Sequence, residues 1–330
     1  MKTIGLVGLG NIGKTHLEAY RHVPNAKVIA ICTRNGRKDE LTSFDGSIVS
    51  EYEELLRCEA IDIIDICVPT FLHEEYITKA ARAGKHIFCE KPLTLTVEAA
   101  ERIFRVTEEC GVRLFVGHVI RFWPEYQTIK AYSETDKLSN IEMVQMGRYG
   151  QLPNWSKWFQ HPEKSGGALF DLHIHDIDFV YYLLGKVERV YAVGHQNEYG
   201  AWDHIMTTLT FKNQAKAFVE GSQKMPMGYP FTMSLRAQAA NSALEFQLKG
   251  GANIEKINER RFVFYESDQV SVVNDVVQAD AFQNELAYFI SCIENDHENH
   301  IIPLNDVLYI IKLLQDIEKS LKTGREVPVL

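Results

Sequence analysis

The apolar residues of the first 120 positions form short continuous runs that alternate with helical patterns. Such runs are typical of buried parallel strands, and they cover 3–7, 28–32, 61–68, 86–89 and 113–116. Between them, helices are expected at 14–22, 74–83 and from 96 to about 106. Strands that alternate with helices predict an α/β domain built on a doubly wound parallel sheet, a Rossmann arrangement.

The pattern changes at about residue 141, where strands begin to follow one another directly. The predicted strands are 141–147, 187–193, 205–211, 215–220, 231–237, 242–248 and 262–265. This order predicts an α+β domain on an open-faced, largely antiparallel sheet. Apolar stripes over 282–293 and 307–321 predict two final helices. We expect a first domain at 1–118 and a second at 119–330.

Composition narrows the class of protein. A chain of 330 residues is long enough for two domains. Its net charge of -9 and the absence of a basic block argue against a nucleic-acid surface. No apolar run is long enough to span a membrane, so no membrane partner is expected. The six cysteines include no Cys-x-x-Cys pair, which favours reduced thiols in a cytoplasmic protein.

A glycine motif follows the first predicted strand directly. Gly8, Gly10 and Gly13 have the Gly-x-Gly-x-x-Gly spacing, and a predicted helix follows them. In this setting the glycines allow a tight turn, close approach of a pyrophosphate, and packing of the helix on the strand. The helix N-terminus, with Asn11 and Ile12, then faces the phosphates. A turn without a ligand is the alternative, but the strand–turn–helix order favours a dinucleotide.

The residues after the second predicted strand bear on which dinucleotide binds. An NAD-preferring site usually has Asp or Glu there, whereas this chain has Thr33, Arg34 and, farther on, Lys38. No acid would repel a 2′-phosphate, and the cations would pair with one. We therefore expect NADP(H), with NAD(H) as the other candidate. A solvated basic turn neutralised by Asp39 and Glu40 is the alternative.

A dense group of ionisable residues follows Gly166-Gly167. Its members are Asp171, His173, His175, Asp176 and Asp178, and the helical spacing of the next apolar residues places them in the first turns of a helix. On a helix Asp171 and His175 share a face, so that a carboxylate can orient an imidazole for acid–base work. Two other interpretations are acids that favour the helix dipole and buried helix histidines. A metal set is a third, but His-x-His shares a face on a strand and not on a helix, so no metal is expected.

Four motifs, taken in order, resemble the glucose–fructose oxidoreductase/inositol dehydrogenase/MocA family, and the resemblance extends over essentially the whole chain. The first is the glycine turn at 8–13, and the second runs from Pro69 to His73. The third is the stretch 83–92, which ends in Glu90-Lys91-Pro92, and the fourth is 166–175, which contains Asp-x-x-x-His. The stretch 174–178 particularly resembles the inositol dehydrogenase branch. The resemblance implies hydride transfer between nicotinamide and a carbon bearing a secondary hydroxyl on a sugar, cyclitol or related polyol.

The same resemblance implies roles for individual residues. The expected catalytic residues are Lys91, Asp171 and His175. The expected cofactor contacts, besides the glycine turn and the residues after the second strand, are Pro69, His73, Glu90 and Lys91. The expected substrate contacts, besides the catalytic residues, are His118, Arg121 and Trp158. Family members often have Asn near position 118, which leaves the role of His118 open.

Three alternatives stay open beside the dehydrogenase. A redox-assisted glycosidase of the same superfamily would release a leaving group without net change in the nicotinamide. A non-catalytic cofactor-sensing regulator would need none of Lys91, Asp171 and His175. A metal hydrolase is the third. The family typically covers its open sheet face by oligomerisation, so a homodimer or homotetramer is expected. The resemblance thus implies a dinucleotide-binding domain at 1–118 and a substrate-binding and oligomerisation domain at 119–330.

Overall fold

The computed structural model describes residues 1–33, 41, 44–152, 157–251, 257–274 and 276–329. The chain forms two compact units, the first with Met1–Phe122 and Ala279–Tyr309, the second with Trp123–Gln278 and Ile310–Leu330. The segment Ala279–Tyr309 therefore groups with the N-terminal unit, which differs from the single boundary expected after residue 118.

The secondary structure begins with a strand, as the apolar pattern predicts. The strands are β1 (Lys2–Val7), β2 (Ala26–Cys32), β3 (Ser47–Val49), β4 (Ile63–Ile66), β5 (His86–Glu90), β6 (Leu114–Gly117), β7 (Met143–Tyr149), β8 (Val187–Gln196), β9 (Trp202–Phe211), β10 (Lys216–Ser222), β11 (Phe231–Gln238), β12 (Ser242–Gly250), β13 (Ile257–Glu266), β14 (Gln269–Val272) and β15 (Val327–Pro328). The helices are α1 (Asn11–Tyr20), α2 (Tyr52–Arg57), α3 (His73–Arg82), α4 (Val97–Glu109), α5 (Pro124–Ser133), α6 (Pro162–Ser165), α7 (Ile174–Leu184), α8 (Ala281–Glu294) and α9 (Leu304–Thr323).

The first unit is built on a six-stranded parallel sheet with the order β3-β2-β1-β4-β5-β6. This is the order of a dinucleotide-binding fold, in which ligands bind beyond the carboxyl ends of the strands at the switch between β1 and β4. The predicted parallel sheet is confirmed. The sequence pattern missed only β3 in this sheet, because a three-residue partly exposed strand has too few positions to show a period.

Helix α8 explains why the late segment groups with the first unit. Its Phe289 packs against Phe88 of β5 and Phe115 of β6, with ring centroids 4.9 Å and 4.6 Å away. Its Phe282 lies 5.6 Å from the ring of His16 on α1. Aromatic pairs at these distances add to the free energy of apolar burial, so α8 completes the core of this unit.

The second unit is built on a nine-stranded sheet with the order β14-β13-β12-β11-β7-β10-β9-β8-β15. Strands β7 and β10 are parallel, and the other pairs that the described residues form are antiparallel. The largely antiparallel sheet is confirmed. The sequence pattern missed β14 and β15, which are short strands at the two edges.

Helices pack on one face of this sheet. Tyr126 of α5 meets Phe179 of α7 edge-on at 4.7 Å and Phe246 of β12 at 5.5 Å. Side chains that point to the other face stay partly exposed, including apolar ones. Met143 is 50%, Tyr191 40% and Val193 45% exposed. Among the described helices, none has the length and apolar content needed to cross a membrane.

Candidate active site

Two glycines of the turn lie in different surroundings: Gly13 is tightly packed, whereas Gly10 borders space that no protein atom fills. A Cβ at Gly13 would lie 2.0 Å from the carbonyl oxygen of Gly8, so close packing inside the turn requires that glycine. Gly10, the N-cap of α1, has φ -77°, which other residues adopt readily. A Cβ there would meet no atom within 4 Å. The packing of the chain thus gives no reason for a glycine at 10, whereas a pyrophosphate at the N-terminus of α1 does. The turn fits a dinucleotide.

The residues expected to select the cofactor are described only in part. Thr33 is buried, and its backbone N–H donates to the carbonyl oxygen of Val49 at 3.1 Å. Arg34 and Lys38 lie outside the described residues. The preference for NADP(H) therefore stays a prediction.

His73 joins the loops that follow β4 and β5. Its Nε2 lies 2.9 Å from the carbonyl oxygen of Val68, and its Nδ1 lies 2.9 Å from that of Pro92. The ring is buried, and burial lowers its pKa although the carbonyl oxygens oppose this. Any contribution of this side chain to cofactor binding would therefore act through the two loops. Pro69 and Lys91, which belong to these loops, are both partly exposed.

The sequence pattern does not predict the buried polar network that contacts the main chain of Lys91. His16 of α1 is fully buried, with Nδ1 2.9 Å from Asp65 Oδ2 and Nε2 3.1 Å from Glu90 Oε1. The backbone N–H of Lys91 donates to Glu90 Oε2 at 3.0 Å. Burial by itself lowers the pKa of His16, but Asp65 and Cys67 outweigh it, and the pKa lies well above its ordinary value. Glu90 is thus held by the network, at the position where a cofactor contact was expected.

Among the described residues, one group offers three atoms that suit a metal ion. Ligand atoms of His16, Asp65 and Cys67 lie within 4.8 Å of one another. The three side chains already form hydrogen bonds with one another, since Cys67 Sγ lies 3.4 Å from His16 Nδ1 and from Asp65 Oδ1. Burial raises the pKa of the Cys67 thiol, which keeps it protonated. Hydrogen bonding accounts for this cluster, and the expectation of no metal stays a prediction.

In the second unit, the expected catalytic stretch forms a helix with an unusual first turn. Leu169–His173 is a π-helix, and α7 continues from Ile174. Single π turns inside helices are frequent at functional sites. Asp171 and His175 are partly exposed, and Asp171 Oδ2 accepts a hydrogen bond from Gln223 Nε2 at 2.7 Å. Sequence reasoning missed Gln223, because it lies just past a predicted strand and belongs to no motif.

The other ionisable residues of this stretch are buried. His173 Nε2 lies 2.9 Å from Thr207 Oγ1, and burial together with the nearby Arg148 lowers its pKa to about 3. Asp176 accepts two hydrogen bonds from Arg148, at 2.9 Å from Nε and 2.8 Å from Nη2. Asp178 is 1% exposed. Burial therefore separates the stretch into Asp171 and His175, which are partly exposed, and His173, Asp176 and Asp178, which are buried.

The remaining predicted substrate contacts lie in different surroundings. The side chain of Arg121 is fully buried, with Nη1 2.8 Å from Asp306 Oδ2 and 2.6 Å from the carbonyl oxygen of Ile301. These bonds give Arg121 a structural task in the first unit. His118 is also buried, at 3% exposure. Trp158 is partly exposed and stacks on Phe159 with ring centroids 4.1 Å apart.

Comparisons with known proteins agree with this geometry. Residues 2–118 match the family model described as "Oxidoreductase family, NAD-binding Rossmann fold", and residues 126–242 match the model of the GFO/IDH/MocA C-terminal domain. An inositol 2-dehydrogenase from Rhizobium meliloti is 26% identical, with 98% of each chain covered. A scyllo-inositol 2-dehydrogenase (NAD(+)) from Bacillus subtilis is 31% identical, with 68% of each chain covered.

A solved structure extends the likeness to the whole fold. Levoglucosan dehydrogenase in complex with NADH superimposes with a TM-score of 0.83 at 21% identity, covering 100% of this chain and 99% of that one. At this identity the likeness concerns the fold, while the family models and the bacterial relatives carry the relationship in sequence. The chain belongs to the GFO/IDH/MocA family of oxidoreductases with an NAD-binding Rossmann fold.

Proposed function

We propose that the protein transfers a hydride between a nicotinamide cofactor and the carbon of a secondary hydroxyl on a sugar, cyclitol or related polyol. One observation carries the proposal: Asp171 and His175 stay partly exposed in a stretch whose other ionisable residues are buried. The relatives named above act on inositols, which are cyclitols. The cofactor, when bound, would supply the hydride acceptor or donor, and the turn with Gly8, Gly10 and Gly13 would hold its pyrophosphate.

The chain's own residues would handle the proton. An alcohol loses its hydroxyl proton as it is oxidised, and an imidazole is suited to take that proton near neutral pH. We assign this role to His175. Asp171 would orient the imidazole or a substrate hydroxyl, and Gln223 holds one of its oxygens at 2.7 Å. Lys91, by its position in the family motif, would hold the hydroxyl oxygen, and a positive charge disfavours a protonated imidazole nearby.

A panel of polyols and sugars, each offered with NAD and with NADP, tests the proposal through nicotinamide absorbance. A cyclitol or sugar alcohol should give a net change. In the His175→Ala variant kcat should fall about a hundred- to ten-thousandfold with cofactor affinity kept, because general acid–base catalysis typically contributes that much.

The matched control is His173→Ala, two residues away. It should lower stability more than turnover, because His173 is buried, bonded to Thr207, and has a pKa of about 3. Near-native turnover of His175→Ala would refute the assignment and favour a cofactor-sensing regulator. Release of a leaving group without net absorbance change would favour a redox-assisted glycosidase.

We further propose a preference for NADP(H), a cytoplasmic location and a homo-oligomer. The first rests on the absence of an acid at Thr33-Arg34, and the second on cysteines without a Cys-x-x-Cys pair. The third rests on Met143, Tyr191 and Val193, three apolar side chains at least 40% exposed on one sheet face. Sedimentation as a monomer at micromolar concentration would contradict the homo-oligomer.

A further inference from the structure

We infer that His16 is a positioning residue for Lys91 and acts through the carboxylate of Glu90. The inference rests on the proposed function, in which Lys91 holds the substrate oxygen. Glu90 Oε1 lies 3.1 Å from His16 Nε2, and Glu90 Oε2 accepts the backbone N–H of Lys91 at 3.0 Å. One carboxylate thus connects the imidazole to the main chain of the proposed catalytic lysine.

The surroundings of Glu90 leave space for this connection. A Cβ at Gly117, the last residue of β6, would lie 2.9 Å from Glu90 Oε1. A larger residue there would push the carboxylate away from His16. The network also links three elements, because His16 lies on α1, Asp65 on β4 and Glu90 on β5. The helix whose N-terminus would meet the cofactor phosphates is therefore bonded to the strand that precedes Lys91.

The imidazole of His16 can compensate for buried negative charge, which an apolar side chain cannot do. Asp65 and Glu90 are 0% and 7% exposed, and a buried carboxylate is costly unless a cation or hydrogen bonds compensate for it. Other ionisable groups that act on the residues of this site include the thiols of Cys67 and Cys89, the hydroxyl of Tyr20, the carboxylate of Glu285 on α8, and the imidazole of His73, whose pKa is lowered by burial. Phe88 and Phe282 cover the ring at 5.3 Å and 5.6 Å. His16 is the positive partner in this otherwise acidic or neutral group.

Loss of this partner should change the position of Lys91 and not merely weaken the core. Without the His16 imidazole, the Glu90 carboxylate should move toward other hydrogen-bond donors. The backbone N–H of Lys91 would then lose a fixed acceptor. A misplacement of about 1 Å can cost about a hundredfold in rate. The effect should appear in kcat, because the change reaches the proposed catalytic lysine through its main chain.

Hydrogen exchange at the Lys91 amide tests the inference without any substrate. His16→Gln has one donor nitrogen where the ring has two, and it carries no charge. In this variant exchange at Lys91 should become about tenfold faster, the factor expected for one weakened hydrogen bond to a charged group. Ile103→Ala is the matched control, because it opens the same unit at a fully buried side chain that has no polar atom. It should leave exchange at Lys91 unchanged relative to its neighbours. Unchanged exchange in His16→Gln would overturn the inference.

Kinetics of a double-mutant cycle supply the functional half of the test. His16→Gln should lower kcat in the native background and have no further effect in Glu90→Ala, because the two residues form one chain of contacts. Equal loss in both backgrounds would overturn the inference. If His16→Gln fails to fold, Glu90→Gln, which weakens the bonds to both His16 and Lys91, should show the same faster exchange at Lys91, and unchanged exchange there would equally overturn it.

Lys91→Ala separates the inference from the function on which it rests. If Lys91→Ala keeps native turnover, the proposed role of the lysine is wrong, whatever the exchange data show. If Lys91→Ala loses turnover while His16→Gln keeps it, only the inference about His16 is wrong.

Discussion

The buried pair of Arg148 and Asp176 should be a main determinant of the stability of the second unit. Arg148 lies on β7 and Asp176 in the first turn of α7, directly after His175. Two parallel hydrogen bonds of 2.9 Å and 2.8 Å join them, and their side chains are 3% and 1% exposed. Arg148→Met should leave the carboxylate buried without its cation. Removal of one partner of a buried pair costs about 3–5 kcal/mol, so the free energy of unfolding should fall by that amount.

Urea unfolding followed by tryptophan fluorescence measures this loss in the relevant unit. All four tryptophans lie between residues 123 and 202, within the second unit. The double variant Arg148→Met/Asp176→Leu should be more stable than either single variant, because it removes both charges together. Arg261→Met is the control. Arg261 is exposed and its partner Glu245 is partly exposed, so the loss of this ion pair should barely change the unfolding midpoint.

The pH dependence of the stability loss follows from the direction in which the pKa of Asp176 is displaced. Burial raises the pKa of Asp176, and Arg148 opposes that rise. Without Arg148 the pKa should rise further, so the folded state would bind a proton more readily than the unfolded state. The stability deficit of Arg148→Met should therefore be full at neutral pH and shrink as the pH falls. A cost below about 1 kcal/mol, additive single variants, or a deficit that grows in acid would refute the reasoning.

Two further predictions concern the cofactor. Gly10→Val should remove dinucleotide binding in calorimetry while the protein stays folded, because a Cβ at that position meets no protein atom within 4 Å; undiminished binding would overturn the placement of the pyrophosphate. Arg34→Ala should weaken NADP binding about tenfold or more relative to NAD, since a hydrogen bond to a charged group contributes about 1.5–3 kcal/mol; an unchanged ratio of the two dissociation constants would remove the basis for a preference.

The parts of the fold that the sequence predicted are those with a strong repeating pattern. Continuous apolar runs predicted the parallel strands, and the seven predicted strands of the second half correspond to β7–β13. The edge strands β14 and β15 were missed because they have four and two residues, and β14 is exposed along its length. The membership of α8 was missed for another reason. An apolar stripe shows that a helix is buried, but it does not say which sheet it covers.

The candidate site was predictable where chemistry follows local spacing and not where it depends on contacts between distant residues. The helix start at Asp171 and His175 was visible, whereas the π turn depends on packing. Asp65 is a position from which the buried network could have been predicted. A carboxylate inside the apolar run 63–66 must have a buried partner, and its partner His16 lies 49 positions away in the sequence.

Burial supplies the distinction between the two histidines that spacing alone left open. The four-residue spacing from Asp171 favoured His175, but a helix of unknown orientation could have exposed His173 instead. In the structure His173 is 0% exposed and its Nε2 lies against Thr207, so a substrate hydroxyl has no approach to that nitrogen. Its neighbour Asp176 is committed to Arg148, which fixes the first turn of α7 on the sheet. His175 therefore lies between two anchored residues, and an anchored backbone is what a residue proposed to take a proton from a substrate needs.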